Sequence, residues 1–310
     1  MKKIIHLVNP NGLGHLRRSI FIWNNNKLTD LNVKICIDIS QVMYLNLFNP
    51  SDQITFEIMD FSGMITLKNI KNKSFVKDYF NFNDYIKNIA FIKNADLIVS
   101  DNALIDFNAI SKNYLVIGSF LWHDIIKNKS ELLDVFNNEI TLLKKNKPCI
   151  YGINGFLHGS LIEYNFSYGL GWLVNSEIPI KFKSNNSKVA VLFSGGLGDM
   201  KSDAILKIVQ VLLKKDIEIY HSINYKFIQV SKIFDFNNDW DKIDFVIARP
   251  GIGTISDCVE NQVPIVAIGE KSNSEIAFNA LKISQFNLGF DYVNNSFNLN
   301  FLSKKKQINF

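Results

Sequence analysis

The sequence has few cysteines and prolines, 3 and 6 among its 310 residues. The cysteines are odd in number and widely spaced, and each lies in or beside an apolar stretch: Cys36, Cys149 and Cys258. This pattern argues against a disulfide framework or a zinc site and predicts reduced core residues. No apolar run approaches the roughly 20 residues of a membrane span, and the N-terminal "MKKIIHLV" is too short for a signal peptide. We therefore expect a soluble, cytoplasmic protein.

The sequence also has little excess of one sign of charge over the other. The formal net charge is +5, and the cations are spread along the chain apart from short clusters at 144–147 and 304–306. No lysine or arginine block is long enough for a nucleic-acid arm, so we expect no nucleic-acid partner. A modest positive field suits an anionic small substrate, or peripheral contact with the acidic inner face of a membrane.

Short apolar runs alternate with longer stretches in which apolar residues recur three and four positions apart. This alternation predicts βαβ units, with a parallel sheet covered on both faces. In the first half, strands are expected at 3–8, 32–38, 54–60, 95–100, 114–119 and 148–153. Helices are expected at 15–28, 41–48, 74–94, 103–112 and 130–146.

Between residues 175 and 188 the chain becomes polar and rich in turn-forming residues, which predicts a domain boundary. The alternating pattern then restarts, so the expected fold class is α/β, with two Rossmann-like parallel-sheet domains at 1–178 and 187–310. In the second domain, strands are expected at 188–193, 217–223, 227–234, 244–248 and 264–268. Helices are expected at 203–215, from 253 onward and at 274–286.

Three glycine-rich turns join a predicted strand to a predicted helix. They contain Gly12 and Gly14, then Gly195, Gly196 and Gly198, and finally Gly251 and Gly253. In parallel α/β sheets, ligands bind beyond the carboxyl ends of the strands. Helix N-termini there offer free N–H groups and a positive dipole end to anions, and glycine lets the backbone come close to a phosphate. The turns therefore predict sites for a phosphate-bearing ligand.

The last of these turns, "ARPGIGTISD", carries the fullest set of polar groups. Gly251 and Gly253 form the turn, Thr254 stands at the helix start, and Asp257 follows one helical turn later. This order would supply N–H groups for a diphosphate and a carboxylate for ribose hydroxyls. The alternative is an ordinary strand-to-helix corner in which Thr254 caps the helix.

Two other phosphate-binding motifs are incomplete or absent in this sequence. A dinucleotide fingerprint in "GLGHLR" would need Gly or Ala at the position of Arg17, although Asp38 could serve as the ribose acid. No Gly-Lys-Ser/Thr follows any turn, which excludes a Walker A loop. Asp239 and Asp241 are similar to the metal-binding Asp-x-Asp of GT-A glycosyltransferases, but their place in a polar loop favours a turn or cap.

The C-terminal turn resembles the donor-nucleotide motif of GT-B glycosyltransferases. The branch in question contains family 28, with the lipid II-forming N-acetylglucosaminyltransferase, and the UDP-glucuronosyltransferase-like enzymes. Its motif is Arg-x-Gly-x-x-Thr-x-x-Glu, then a proline-led strand and a Gln-x-x-Asn-Ala helix. The matching positions are Arg249, Gly251, Thr254, Pro264, Asn279 and Ala280. Asp257 replaces the glutamate, and the glutamine falls on Ile276, beside Glu275.

Two further stretches are similar to the same family. "GLGHLRR" is similar to a Gly-x-Gly-His-x-x-Arg turn, with His15 and Arg18 in register, and "VLFSGGLGD" to the glycine loop that follows the first strand of the C-terminal domain. The resemblance implies two domains facing a cleft, with the acceptor on 1–178, the donor on 187–310, and a C-terminal tail that packs back on the first domain. The implied donor-binding residues are Ser194, Gly195, Gly196, Arg249, Gly251, Gly253, Thr254, Asp257, Glu275 and Asn279.

The first turn would then carry the catalytic groups. His15 could accept a proton from an acceptor hydroxyl, since imidazole titrates near neutral pH, or it could cap the helix. Arg18 or Arg17 could stabilise the departing diphosphate. Asp101, at the end of a predicted strand, could orient His15, act as the base, or cap a following helix. The turn glycines Gly12 and Gly14 would let a diphosphate approach.

The segment Trp122–His123–Asp124 could line an acceptor pocket or simply pack against the surface.

The resemblance implies a glycosyltransferase that moves a sugar from a nucleoside diphosphate, UDP in the first instance, to a hydroxyl acceptor. Inversion, independence from metals and cofactors, and a glycan or lipid-linked acceptor of cell-surface polysaccharide synthesis are also implied by it. The alternatives are a nucleotide-sugar hydrolase or epimerase, a non-catalytic sugar-nucleotide-binding subunit, and a Rossmann oxidoreductase. No His/Cys/carboxylate cluster has metal-ligand spacing, so no metal site is expected.

Overall fold

The structure is a computed structural model, and it describes residues 2–26, 30–107, 113–126, 129–172, 189–193, 202–215, 217–221, 232–235 and 238–296. The chain divides into two compact units, 1–173 and 174–310. The predicted boundary segment 175–188 and the predicted tail contact fall outside the described residues.

The first unit contains seven described strands: β1 (Lys2–Leu7), β2 (Leu31–Asp38), β3 (Ile54–Met59), β4 (Leu97–Asp101), β5 (Tyr114–Ile117), β6 (Cys149–Ile153) and β7 (Ser167–Leu170). They form one sheet in the order β3-β2-β1-β4-β5-β6-β7, and every pairing is parallel. The α-helices are α1 (Leu13–Asn24), α2 (Phe75–Ile86), α3 (Ala90–Lys93), α4 (Trp122–Ile125) and α5 (Leu133–Asn146). The prediction that this part of the chain forms a parallel sheet with connecting helices is therefore correct.

Strand β1 shows why apolar residues follow one another directly in the centre of this sheet. Ile4 packs on one face with Leu16 and Ile20 of α1. Ile5 packs on the other face with Ile86 of α2. Because helices cover both faces, the consecutive residues 4–7 of the strand are all buried, as expected for a parallel sheet.

The second unit contains six described strands: β8 (Val189–Phe193), β9 (Glu218–His221), β10 (Lys232–Ile233), β11 (Phe245–Ala248), β12 (Ile265–Ala267) and β13 (Gly289–Asp291). Their order is β10-β9-β8-β11-β12-β13, again with parallel pairing throughout. The helices are α6 (Ser202–Leu213), α7 (Ile252–Glu260) and α8 (Ser274–Gln285). The predicted strand 227–234 is described only at 232–234, of which Lys232–Ile233 form β10.

The predicted helix 103–112 is wrong where the structure describes it, because 103–107 are irregular. The hydroxyl of Tyr114 donates to the Ala103 carbonyl at 3.0 Å and accepts from the Ile105 N–H at 3.3 Å. The hydroxyl of Ser100 also donates to the Ala103 carbonyl, at 2.8 Å. These side chains take up backbone groups that a helix would have paired internally. Residues 108–112 lie outside the described part of the chain.

Other differences are smaller. The predicted helix 74–94 is divided into α2 and α3, and the predicted helix 41–48 is a 3₁₀ helix, Ile39–Leu47. Strands β7 and β13 were not predicted, since both are short and β7 is mostly exposed. The three cysteines are free: Cys36 and Cys258 are buried and Cys149 is half-buried. Among the described helices, none is both long and apolar enough to cross a membrane.

Candidate active site

The sheet of the first unit reverses its strand order between β1 and β4. The chain runs outward from β1 through β2 to β3, and then returns to place β4 on the other side of β1. The carboxyl ends of β1 and β4 are thus the switch point at which open α/β sheets bind ligands. The turn after β1 leads to His15, and Asp101 is the last residue of β4.

The turn after β1 is held by two asparagines that the sequence analysis did not single out. Asn9 is fully buried, and its amide donates to the Ile65 carbonyl at 3.1 Å while its oxygen accepts from the Asn11 N–H at 2.9 Å. Gly12 begins helix α1 at a φ of 102°, a left-handed conformation that favours glycine. A Cβ added at Gly14 would meet nothing within 4 Å. The backbone around Gly14 is therefore open to a ligand.

His15, Asp101 and Arg18 meet at this switch point. His15 Nδ1 lies 3.0 Å from Asp101 Oδ1, and Arg18 Nη2 donates to the same oxygen. Arg18 Nη2 is also 3.3 Å from His15 Nδ1. The Asp101 side chain is fully buried, and those of His15 and Arg18 are 15% and 12% exposed. The predicted trio is therefore one contiguous cluster, reached from the solvent through its two basic members.

The carboxylate determines which nitrogen of His15 is available. Burial alone would raise the pKa of Asp101, but the charges of Arg18 and His15 and the His15 hydrogen bond outweigh it and hold this pKa below its usual value. A carboxylate only accepts hydrogen bonds, so His15 Nδ1 carries the hydrogen. In the neutral ring, Nε2 then has a free lone pair, and no described residue hydrogen-bonds to it. The ring is set up to accept a proton at Nε2.

The structural alternatives for these residues do not hold. Gly12, not His15, is the cap residue of α1, and within the described residues the helix has no side-chain cap. Asp101 caps no helix, because 103–107 are not helical. Arg18 is paired with Asp101, and its action on a departing diphosphate stays a prediction. Arg17 is half-buried and has an interaction of its own.

Asn102, which follows Asp101, was also missed by the sequence analysis. It has a φ of 53° and is 5% exposed. Its N–H donates to the Ile117 carbonyl at 2.8 Å, and its carbonyl accepts from the Trp122 indole at 2.9 Å. A Cβ at Gly118 would lie 1.9 Å from the Asn102 side-chain oxygen. Asn102 thus fixes the chain direction just beyond Asp101. The only feature of the sequence that could have indicated this role is that asparagine adopts the left-handed backbone conformation more easily than most residues.

The second unit repeats the switch-point arrangement at β8 and β11. The loop after β11 leads through Arg249 and Gly251 into α7, whose cap residue Gly251 provides no side-chain hydrogen bond. Thr254 is the third residue of α7, so the capping role considered for it is wrong. Within the part of the chain that the structure describes, the N–H groups of the first turn, at Ile252, Gly253 and Thr254, therefore lack a side-chain cap. Such a helix end suits an anion.

Three further donor-site residues lie around this helix end. Asn279 is buried, and its amide donates to the Pro250 carbonyl at 2.9 Å, which fastens α8 to the turn before α7. Arg249 Nε is 4.0 Å from Glu270 Oε2 and makes no hydrogen bond to a described residue. Asp257 is 6% exposed, with a partner of its own, on the second turn of α7. Its contact with a ribose stays a prediction.

The remaining donor-site predictions differ in outcome. Ile276 is 3% exposed and points into the core, since a Cβ at Gly269 would lie 2.9 Å from its Cγ2. The position of the family glutamine is thus part of the core here, while Glu275 is half-buried in the first turn of α8. The glycine loop with Ser194, Gly195, Gly196 and Gly198 falls outside the described residues.

The carboxylates considered as metal or ribose ligands have structural partners. Asp239 accepts from the Asp235 N–H at 2.8 Å and pairs with Lys242 Nζ at 2.5 Å. Asp38 caps the 3₁₀ helix Ile39–Leu47, where it accepts from the Ser40 N–H at 2.9 Å. Among the described residues, no group of three or more His, Cys, Asp or Glu side chains could hold a metal ion.

His123 belongs to a separate network in the first unit. Its Nε2 is 2.8 Å from Ser160 Oγ, and its Nδ1 is 2.8 Å from Glu139 Oε2, the connectivity of a serine–histidine–acid triad. However, the Ser160 hydroxyl and N–H both donate to Asp124 Oδ2, at 2.6 and 2.9 Å. A carboxylate at this place would repel a developing oxyanion. Trp122 is buried, so the segment packs between elements and supports a structural interpretation.

This network predicts a pH-dependent stability. Burial would lower the pKa of His123, but the hydrogen bond and charge of Glu139 and the charge of Asp124 raise it above its usual value. The protonated ring therefore stabilises the fold fully below about pH 6.5, and this contribution is lost as pH rises through the folded-state pKa. We expect His123→Gln to lower the free energy of unfolding more at pH 6 than at pH 9, as measured by urea denaturation.

The control for this measurement is His221→Gln in the second unit. Burial lowers the pKa of His221, so its contribution has the opposite pH dependence and the variant should lose more stability at pH 9. Equal losses for His123→Gln at both pH values would contradict an ionised His123–Glu139 pair.

The comparisons with known proteins agree with this architecture. No protein-family profile matches the sequence, and no curated protein sequence matches it significantly. Among solved structures, the glycotransferase of kitacinnamycin has a TM-score of 0.65 at 11% identity, covering 99% of this chain and 89% of that chain. Arabidopsis thaliana UGT89C1, complexed with UDP-L-rhamnose, has a TM-score of 0.63 at 10% identity, covering 93% and 84%.

The glycosyltransferase SsfS6 of Streptomyces sp. SF2575, complexed with thymidine diphosphate, has a TM-score of 0.57 at 11% identity. That match covers 99% of this chain and 94% of the other. The chain thus has the α/β fold of GT-B glycosyltransferases, and the predicted fold class is confirmed. At this level of identity the likeness establishes the fold alone.

Proposed function

We propose that the protein is a glycosyltransferase that moves a sugar from a nucleoside diphosphate to a hydroxyl acceptor. The observation that carries this proposal is the His15–Asp101 pair at the switch point of the first unit, with Nδ1 held by a buried carboxylate and Nε2 without a hydrogen-bond partner among the described residues. A base of this kind activates a hydroxyl, the group to which glycosyltransferases attach a sugar.

In the proposed reaction, His15 Nε2 takes the proton of the acceptor hydroxyl. The acceptor oxygen forms a bond to the anomeric carbon of the sugar while the bond from that carbon to the diphosphate oxygen breaks. The nucleoside diphosphate leaves with the electrons of that bond. Asp101 holds the ring in the required tautomer and stabilises the imidazolium that forms, as the acid does in a catalytic triad.

The donor is assigned to the second unit. The first turn of α7, which no described side chain caps, offers N–H groups and a positive dipole end to the diphosphate, and Arg249 stands two residues before its cap residue. The solved structures with this fold include one complexed with UDP-L-rhamnose and one with thymidine diphosphate, which supports a nucleoside diphosphate as the ligand class. UDP is our proposed donor nucleotide.

Catalysis without a metal or cofactor is part of the proposal. Arg249 and the dipole of α7 would offset the negative charge of the diphosphate, which a bound metal ion offsets in metal-dependent glycosyltransferases. Inversion at the anomeric carbon, membership of the family 28 branch, a glycan or lipid-linked acceptor and contact with the inner membrane face remain predictions from the sequence resemblance.

The test combines binding and turnover. In the presence of EDTA, UDP or dTDP should raise the melting temperature, because a ligand at 100 times its Kd stabilises the fold by about 2.7 kcal/mol. Release of UDP from a UDP-sugar should then require an added acceptor. Release without an acceptor would favour the hydrolase alternative, and binding with no turnover would favour the binding subunit. Restoration of activity only by Mn²⁺ or Mg²⁺ would contradict metal independence.

A further inference from the structure

The first turn of α1, which carries His15, has few local interactions to fix it. Its cap residue Gly12 makes no side-chain hydrogen bond, and no acidic residue stands in the first turn. Gly14 lies inside the helix, where glycine costs about 1 kcal/mol relative to alanine. The placement of His15 against Asp101 must therefore depend on contacts with the rest of the unit.

A chain of hydrogen bonds buried beneath α1 provides such contacts. His15, Ser19 and Trp23 are spaced four residues apart and so lie along one face of the helix. His6 of β1 is directed at this face. The Trp23 indole donates to His6 Nδ1 at 2.8 Å, His6 Nε2 is 3.2 Å from Ser19 Oγ, and the Ser19 hydroxyl donates to the His15 carbonyl at 2.9 Å.

The direction of every bond in this chain follows from its first donor. An indole N–H only donates, so His6 Nδ1 accepts and the hydrogen of the neutral ring is on Nε2. That hydrogen goes to Ser19 Oγ, whose own hydrogen is free for the His15 carbonyl. His6 and Ser19 are 1% and 0% exposed, so water does not compete with the bond between them.

The ring of His6 keeps this arrangement at ordinary pH. Burial lowers the pKa of His6 to about 4, with the Asp101 charge raising it and the Arg18 charge lowering it by lesser amounts. A neutral His6 therefore accepts from Trp23 throughout the range in which an enzyme of this class would work.

We propose that His6 and Ser19 are positioning residues for His15: they hold the backbone of the first turn of α1 so that the imidazole meets Asp101. This inference rests on the proposed function, in which His15 is the base. Neither residue touches a reacting atom. Both residues act on His15 through its backbone carbonyl. Because Trp23 determines the tautomer of His6, the hydrogen bonds all run in one direction, from Trp23 through His6 and Ser19 to this carbonyl.

The main variant is Ser19→Ala, which removes the hydroxyl but retains a good helix former. We expect kcat to fall about 2–12-fold, the size of one neutral hydrogen bond, while the KM for the donor stays unchanged. In a His15→Ala background, Ser19→Ala should cause no further loss, since the residue it acts through is gone.

The matched control is Thr141→Ala on α5. The Thr141 hydroxyl donates to the Asn137 carbonyl at 2.7 Å, the same bond to the residue four positions earlier, on another helix. This variant should leave kcat unchanged. If Ser19→Ala has the kcat of the wild type, or lowers the residual rate of His15→Ala by the same factor, the inference is overturned.

A second measurement does not depend on turnover. Imidazole ¹⁵N NMR spectra of the wild type should show His6 as the Nε2–H tautomer, and Ser19→Ala should shift the His15 resonances while Thr141→Ala should not. If no transfer activity is found but these shifts occur, the proposed function fails and the positioning inference stands. Unshifted His15 resonances in Ser19→Ala would overturn the inference even in an active enzyme.

Discussion

His15→Ala lowers kcat by about 10²–10⁴-fold if His15 is the general base, the usual size of this contribution. The affinity for the nucleotide should change little, because the donor is assigned to α7 of the second unit. Stability should fall by about 1–3 kcal/mol, because the buried Asp101 carboxylate loses its hydrogen bond to His15, although His15 does not cap α1. Initial rates with saturating donor, isothermal titration with UDP and thermal unfolding of the same preparation would measure all three.

The matched variant is His15→Gln, whose amide can hydrogen-bond to Asp101 but accepts no proton at neutral pH. It should be as slow as His15→Ala, and a rate near that of the wild type would show that a hydrogen bond suffices. Unchanged kcat in both variants would remove His15 from catalysis. Asp101 would then be the next candidate, but it is a poor one, because it is fully buried and its pKa is held low.

Gly251→Asp should change stability and ligand affinity in opposite directions. Gly251 caps α7 with φ −74° and ψ 148°, a conformation that suits an aspartate cap, and an added Cβ would meet nothing within 4 Å. The new carboxylate should satisfy first-turn N–H groups and raise stability by about 0.5–1 kcal/mol. The affinity for UDP should fall at least about 10-fold, because those groups are occupied and the new charge repels the diphosphate.

The control is Gly171→Asp, which adds the same charge at another glycine with open space around it, in the first unit. It should leave UDP affinity unchanged. Calorimetric titration and thermal unfolding would separate the two effects. A Gly251→Asp protein that is more stable and still binds UDP with full affinity would place the diphosphate elsewhere.

Local sequence pattern was sufficient for most of the fold. The apolar strands, the amphipathic helices and the glycine turns after β1 and β11 were predicted to within a few residues, because strand and helix periods are local properties. The family-like first turn also led to His15 and Arg18, and the end of a predicted strand led to Asp101. Each prediction depended on a residue and its near neighbours in the chain.

Local pattern failed where a distant side chain competed with the backbone. Residues 103–107 are helical in period but irregular in structure, since the hydroxyl of Tyr114 takes up the groups of Ala103 and Ile105. In the same way, threonine is a residue type that often caps helices, yet the cap residue of α7 is Gly251 and not Thr254.

By itself the sequence determined which residue types stand at the ends of β1, β4 and β11, and therefore which chemistry the switch points can support. Only the tertiary structure decided that Asp101 meets His15 across 86 positions of chain, and that His6 reaches Ser19 and Trp23 beneath α1. The physical reason is strand order. Placing β4 beside β1 depends on the packing of whole helices on both faces of the sheet, and no local period records which strands become neighbours.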